Sequence, residues 1–113
     1  MTSQFTIDWP GVSGKVYRYW SGEFTEAYRD EGGNYMFVKP SGINAYLPVY
    51  IGQADSLKTR LANHERIAEA KRAGATLIMS HTTPNGEQAR LAEERDLIAK
   101  WSPTLNTQHR KVS

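Results

Sequence analysis

Hydrophobic residues recur along this chain with two periods, near two in its first half and near 3.6 through most of its second. Lys15-Val16-Tyr17-Arg18-Tyr19-Trp20 alternates and is rich in β-formers, which predicts a strand ended by Ser21-Gly22. Gly32-Gly33 opens a second strand, Asn34-Tyr35-Met36-Phe37-Val38-Lys39. Val49-Tyr50-Ile51-Gly52 reads as a third, short and mostly apolar. Between these two, Pro40-Ser41-Gly42 and Pro48 predict a hairpin with a long connection. Trp9-Pro10-Gly11 and Ser13-Gly14 read as loop and turn, and residues 23–31 fit either a short helix or a loop.

The second half changes period. Asp55 and Ser56 are good N-cap residues, and Leu57, Leu61, His64, Ile67 and Ala68 recur at helical spacing through Arg72, before Gly74. Ala75 to Ser80 predicts a fourth strand. The turn Thr82-Thr83-Pro84-Asn85-Gly86 feeds a second helix from Glu87 to Trp101, stopped by Pro103. The order β-β-β-α-β-α predicts an α+β fold, with a small, mostly antiparallel sheet flanked by helices.

Composition narrows the picture. A chain of 113 residues with 39% hydrophobic and 23% charged residues suits one globular domain. The absence of Cys removes disulfide frameworks and thiolate metal sites. No apolar run approaches the length of a membrane span, and Met1-Thr2-Ser3-Gln4-Phe5 lacks the basic and apolar regions of a signal peptide, so no membrane partner and a cytoplasmic location are expected. Residues 1–34 hold three basic and five acidic side chains, whereas residues 35–113 hold eleven and seven. A basic C-terminal two-thirds is compatible with a polyanionic partner, and equally with proteins that never meet nucleic acid.

Candidate chemistry sits where polar residues share apolar faces. On the second helix Leu91, Leu97, Ile98 and Trp101 form a stripe, and Glu94 falls on it, while Glu93, Arg95 and Asp96 point elsewhere. A carboxylate there is costly unless paired or metal-bound. It is either a hard-cation ligand or general base, or an edge residue offset by a nearby Arg. On the first helix Arg60 and His64 are four apart and share a face: a phosphate-facing pair, or ordinary solvated side chains. The three His form no zinc pattern, and neither a nucleophile elbow nor a phosphate-binding glycine loop is present. His109-Arg110-Lys111 reads as a solvated tail, able to touch a backbone phosphate.

Gly33-Asn34-Tyr35, Val49-Tyr50-Ile51-Gly52, Arg60, His64, Glu94 and Asn106 together resemble the ordered signature of the GIY-YIG nuclease family, over about residues 32–106. The spacing from Tyr50 to Arg60 is ten, from Arg60 to His64 four, from Glu94 to Pro103 nine and from Pro103 to Asn106 three. These gaps resemble those of the N-terminal nuclease domain of the bacterial excision-repair endonuclease. The resemblance implies a nuclease-like domain over 32–113, with residues 1–31 as an N-terminal β extension packed on it. It implies Tyr35, Tyr50, Arg60, His64 and Glu94 as catalytic residues, with Glu94 holding Mg²⁺ (or Mn²⁺) and Gly33, Gly52 and Asn106 as support. Lys58, Arg66, Lys71 and Arg72 are the expected nucleic-acid contacts, and DNA the expected partner. The chain departs from the pattern at Asn34, at Gln53, where the repair enzymes carry Lys, and in the longer gap from Tyr35 to Tyr50. A binding module without cleavage and a small protein-interaction domain are the rival readings; monomer and homodimer both stay open.

Overall fold

A computed structural model describes residues 4–106. The elements run β1 (Thr6–Pro10), β2 (Val16–Gly22), β3 (Gly33–Gly42), β4 (Ala45–Ala54), α1 (Leu57–Ala62), α2 (Ile67–Arg72), β5 (Leu77–Thr82) and α3 (Glu87–Trp101). This is an α+β fold around one five-stranded sheet of order β1-β2-β5-β3-β4, with every neighbouring pair antiparallel.

The sheet is covered on both faces. Trp9, Tyr19, Met36, Val38, Ile51, Met79 and Leu97 make one core, under α3. Tyr35, Phe37, Val49, Ile78, Leu57, Leu61, Ala70 and Leu105 make the other, against α1 and α2. Gly33 to Val38 are buried in succession because β3 lies between both layers. Full burial of a ring such as Phe37 contributes about 2–3 kcal/mol. Residues 4–31 belong to this same sheet, since β2 hydrogen-bonds to β5, with Trp20 opposite Ser80.

Three expectations are corrected. The Trp9-Pro10 segment is strand, not loop: Ile7 and Trp9 alternate inward, and Pro10 ends the pairing with β2 at Val16. The connection between the second and third strands is not long. β3 and β4 each run ten residues and turn through Ile43 and Asn44, with Asn44 at φ 55. Pro40 is tolerated because pairing with β5 stops at Val38, and Pro48 because β4 is an edge strand. Of the two readings of residues 23–31, a short helix or a loop, the structure has the loop.

The third correction concerns the first predicted helix, which is two. α1 stops at Asn63 (φ −151, ψ 60), and α2 begins at Ile67. Asn competes with helix through local hydrogen bonds, and the His64 ring takes over one backbone donor, accepting from Arg66 N at 3.0 Å. Arg60 and His64 therefore do not stack on one helix face. The second helix, α3, spans the predicted residues, and Asp96 on it ties down the β1–β2 turn through Ser13 and Tyr17.

Candidate active site

Alternation on β3 turns Tyr35 toward the α1–α2 layer. The ring fits because Gly52, its cross-strand partner on β4, has no side chain: a Cβ there would lie 2.5 Å from the Tyr35 hydroxyl. Tyr35 Oη lies 2.7 Å from His64 Nε2. His64 Nδ1 accepts the Arg66 amide and so carries no proton. Burial, reinforced by the Arg60 charge, pulls the His64 pKa down to about 4, so the ring is neutral near pH 7. Its single proton is then on Nε2 and is donated to Tyr35. Burial pushes the Tyr35 phenol up, as does neighbouring Tyr50, while the Arg60 guanidinium pulls it back.

Tyr50, on β4, completes an aromatic cage. Its ring stacks on Phe37 at 5.7 Å and meets the edge of His64 at 5.2 Å. It is half-buried, and burial raises its phenol against the pull of Arg60. Arg60 projects from the last turn of α1 and grips Glu65 with two parallel hydrogen bonds, Nη1 to Oε1 at 2.7 Å and Nη2 to Oε2 at 3.0 Å. That grip holds the Glu65 carboxyl down at about 2. Glu65 lies in the helix break and carries no periodic signal that would have singled it out.

Glu94, on α3, is half-buried. Burial raises its pKa, offset in part by Arg95, and its charge in turn raises both Tyr35 and Tyr50. Its carboxylate makes no hydrogen bond to any described residue. An unpartnered half-buried carboxylate whose charge reaches two phenols is a suitable single protein ligand for Mg²⁺, which keeps several waters and binds through one or two carboxylates plus substrate oxygens. No group of three or more His, Asp or Glu suited to a metal occurs among the described residues.

The expectation that Glu93 points away from the core is wrong. Glu93 is the more deeply buried of the two, and its Oε2 accepts from the Tyr19 hydroxyl at 2.7 Å and pairs with His81 Nε2 at 2.6 Å. Arg90 is buried one turn earlier, bonding Gln53 at 3.0 Å and Asp55 at 2.6 Å. Arg90, Glu93 and Leu97 form the helix's innermost line, legible as spacings of three and four once polar residues are admitted to it. Asn34 is equally structural: its amide donates to Arg90 O at 3.0 Å and accepts from Thr83 Oγ1 at 2.7 Å, docking β3 on α3.

Asn106 clasps the edge strand, accepting Ile51 N at 2.8 Å and donating to Ile51 O at 2.9 Å, which fixes the backbone next to Tyr50. Gly33 lets β3 approach both the His81 carbonyl and Leu57. The basic residues scatter once the helix breaks. Lys58 and Arg72 are exposed; Lys71 caps the Phe24 ring at 4.8 Å; Arg66 is tied to Glu69 and the Leu105 carbonyl. His109, Arg110 and Lys111 lie outside the described residues.

No family model, curated protein or solved structure matches the chain. No helix among the described residues is long and apolar enough to cross a membrane.

Proposed function

We propose that this protein is a divalent-metal-dependent endonuclease of the GIY-YIG type that hydrolyses DNA phosphodiester bonds. One observation carries the reading: Tyr35, Tyr50 and His64, from three separate segments, pack ring against ring, and the charges of Arg60 and Glu94 both act on the two phenols. Structural needs alone do not call for a half-buried carboxylate without a partner whose charge acts on two phenols.

His64 acts as a positioning residue. Both its nitrogens are engaged, so it fixes the Tyr35 oxygen rather than taking a proton itself. The Tyr35 oxygen would accept the proton of the attacking water as its own O–H proton passes to a phosphate oxygen, and the His64 N–H and the Arg60 charge stabilise the negative charge it carries between the two transfers. Arg60 exchanges Glu65 for a substrate phosphate. The pair is exposed enough that breaking it costs about 0–1 kcal/mol, and the freed fork then stabilises transition-state charge. Glu94 would hold Mg²⁺ or Mn²⁺, whose charge, when bound, neutralises the non-bridging and leaving oxygens.

Supercoiled plasmid incubated with the protein and Mg²⁺ should be nicked or linearised, and chelator should stop it. Binding without cutting in both Mg²⁺ and Mn²⁺ would replace this reading with that of a binding module. No binding at all would favour a protein-interaction domain.

A further inference from the structure

The helices α1 and α2 cover only part of their face of the sheet. Over β2 and β5 that face is roofed instead by residues 26–29, which leave an open cleft of about 660 Å³. Its floor continues that of the candidate site. Trp20, Ser80 and Tyr35 are successive cross-strand partners on β2, β5 and β3, so all three side chains stand on one face. Leu57, in the cleft wall and in the same core cluster as Tyr35, begins the helix that carries Arg60.

We propose that this cleft takes an unpaired nucleotide of the DNA strand whose phosphate lies at Tyr35 and Arg60, so that the preferred substrate has a single-stranded segment next to the scissile bond. The inference rests on the nuclease reading and adds the substrate's form to it. The volume is that of a small-ligand pocket, which admits a single nucleotide and excludes a base-paired helix. Trp20 offers an indole that is 43% exposed in an otherwise ordered strand, a stacking platform for a base. The hydroxyls of Ser80 and Thr82 line the cleft without a hydrogen-bond partner among the described residues, ready to meet a base edge. Glu26, also in the lining, has its carboxylate turned to Glu23 N, and its charge disfavours phosphate inside the cleft. Arg29, loosely paired with Glu31 at 3.6 Å, is available to backbone phosphate. The spacing agrees. Trp20 lies two strands from Tyr35, about 10 Å, within reach of an unpaired strand whose phosphate lies at Tyr35.

The test compares a labelled blunt duplex with the same duplex bearing a single-stranded oligothymidine flap. Binding is measured in chelator and cleavage in Mg²⁺. The flap substrate should bind and be cut on the order of tenfold better, and Trp20→Ala should remove that advantage while leaving the blunt duplex unchanged. A Trp20→Ala protein of unchanged Tm secures the comparison, and Ser80→Ala, a smaller change, should remove part of the advantage. Cleavage of both substrates with equal efficiency, or an equal loss on both in Trp20→Ala, overturns the cleft assignment and leaves the nuclease reading standing. No cleavage of either overturns the nuclease reading and this inference with it.

Discussion

Tyr35 and His64, 29 residues apart in the chain, meet at 2.7 Å, with the histidine as donor because its other nitrogen is spent on the Arg66 amide. That bond is possible only because the helix carrying Arg60 ends before it reaches His64. It gives the Tyr35 oxygen a donor that the Tyr50 oxygen lacks among the described residues.

The two tyrosines are therefore expected to differ. Tyr35→Phe and Tyr50→Phe should both lose activity, but only Tyr35→Phe should alter the alkaline side of the pH–rate profile. Profiles that keep the wild-type shape in both variants and differ only in height would take tyrosine out of the proton-transfer step.

His64 also leaves a mark on stability. Its pKa is near 4 when folded, against an ordinary value of ~6.5, so the unfolded chain binds the proton more readily. Above pH 6.5 the ring is neutral in both states and contributes nothing to the pH dependence. As pH falls from about 6.5 to about 4 it progressively favours unfolding, by about 2–3 kcal/mol near pH 4.5. His64→Gln removes that penalty and can keep a donor for Tyr35. Urea titrations between pH 7 and 4.5 should show the variant losing less stability than the wild type. Parallel losses would mean that the folded ring titrates normally.

Glu94→Gln should abolish cleavage and leave the fold and most DNA binding intact. Burial raises the Glu94 pKa, so the carboxylate disfavours folding above its folded pKa, and the neutral amide should raise the Tm of the metal-free protein at pH 7. Mg²⁺ should raise the Tm of the wild type but not of the variant. Metal-dependent cutting by Glu94→Gln would refute the assignment.

Arg60→Ala should lower turnover on the order of 10²-fold with a smaller effect on affinity, whereas Lys58→Ala, exposed and without a partner in the site, should change turnover hardly at all. With Arg66 tied to Glu69 and Lys71 held over the Phe24 ring, Lys58, Arg60 and Arg72 are the remaining candidates for phosphate, and the log–log salt dependence of duplex binding should have a slope of about −3. Equal kinetic effects of the two substitutions would reduce Arg60 to one member of a basic patch.

Local pattern was enough for α3 and for the inner parts of β2, β3 and β4, because period and stop signals in those segments agree with how each is buried. It also placed Glu94 on a half-buried face, and of the residues that the resemblance grouped, Tyr35, Tyr50 and His64 are in ring contact. Other features were decided by long-range partners. The Trp9-Pro10 segment is a strand because β2 pairs with it, and the β3–β4 hairpin is long because Pro40 and Pro48 fall where no second neighbour needs their missing N–H groups. The uninterrupted helical spacing from Leu57 to Arg72 concealed the break at Asn63, which holds because the His64 ring satisfies Arg66 N and reaches Tyr35 on another strand. Glu93 went unrecognised for the same reason. A carboxylate counts as polar in any one-dimensional pattern, and only the arrival of Tyr19 and His81 from two other strands makes its burial tolerable.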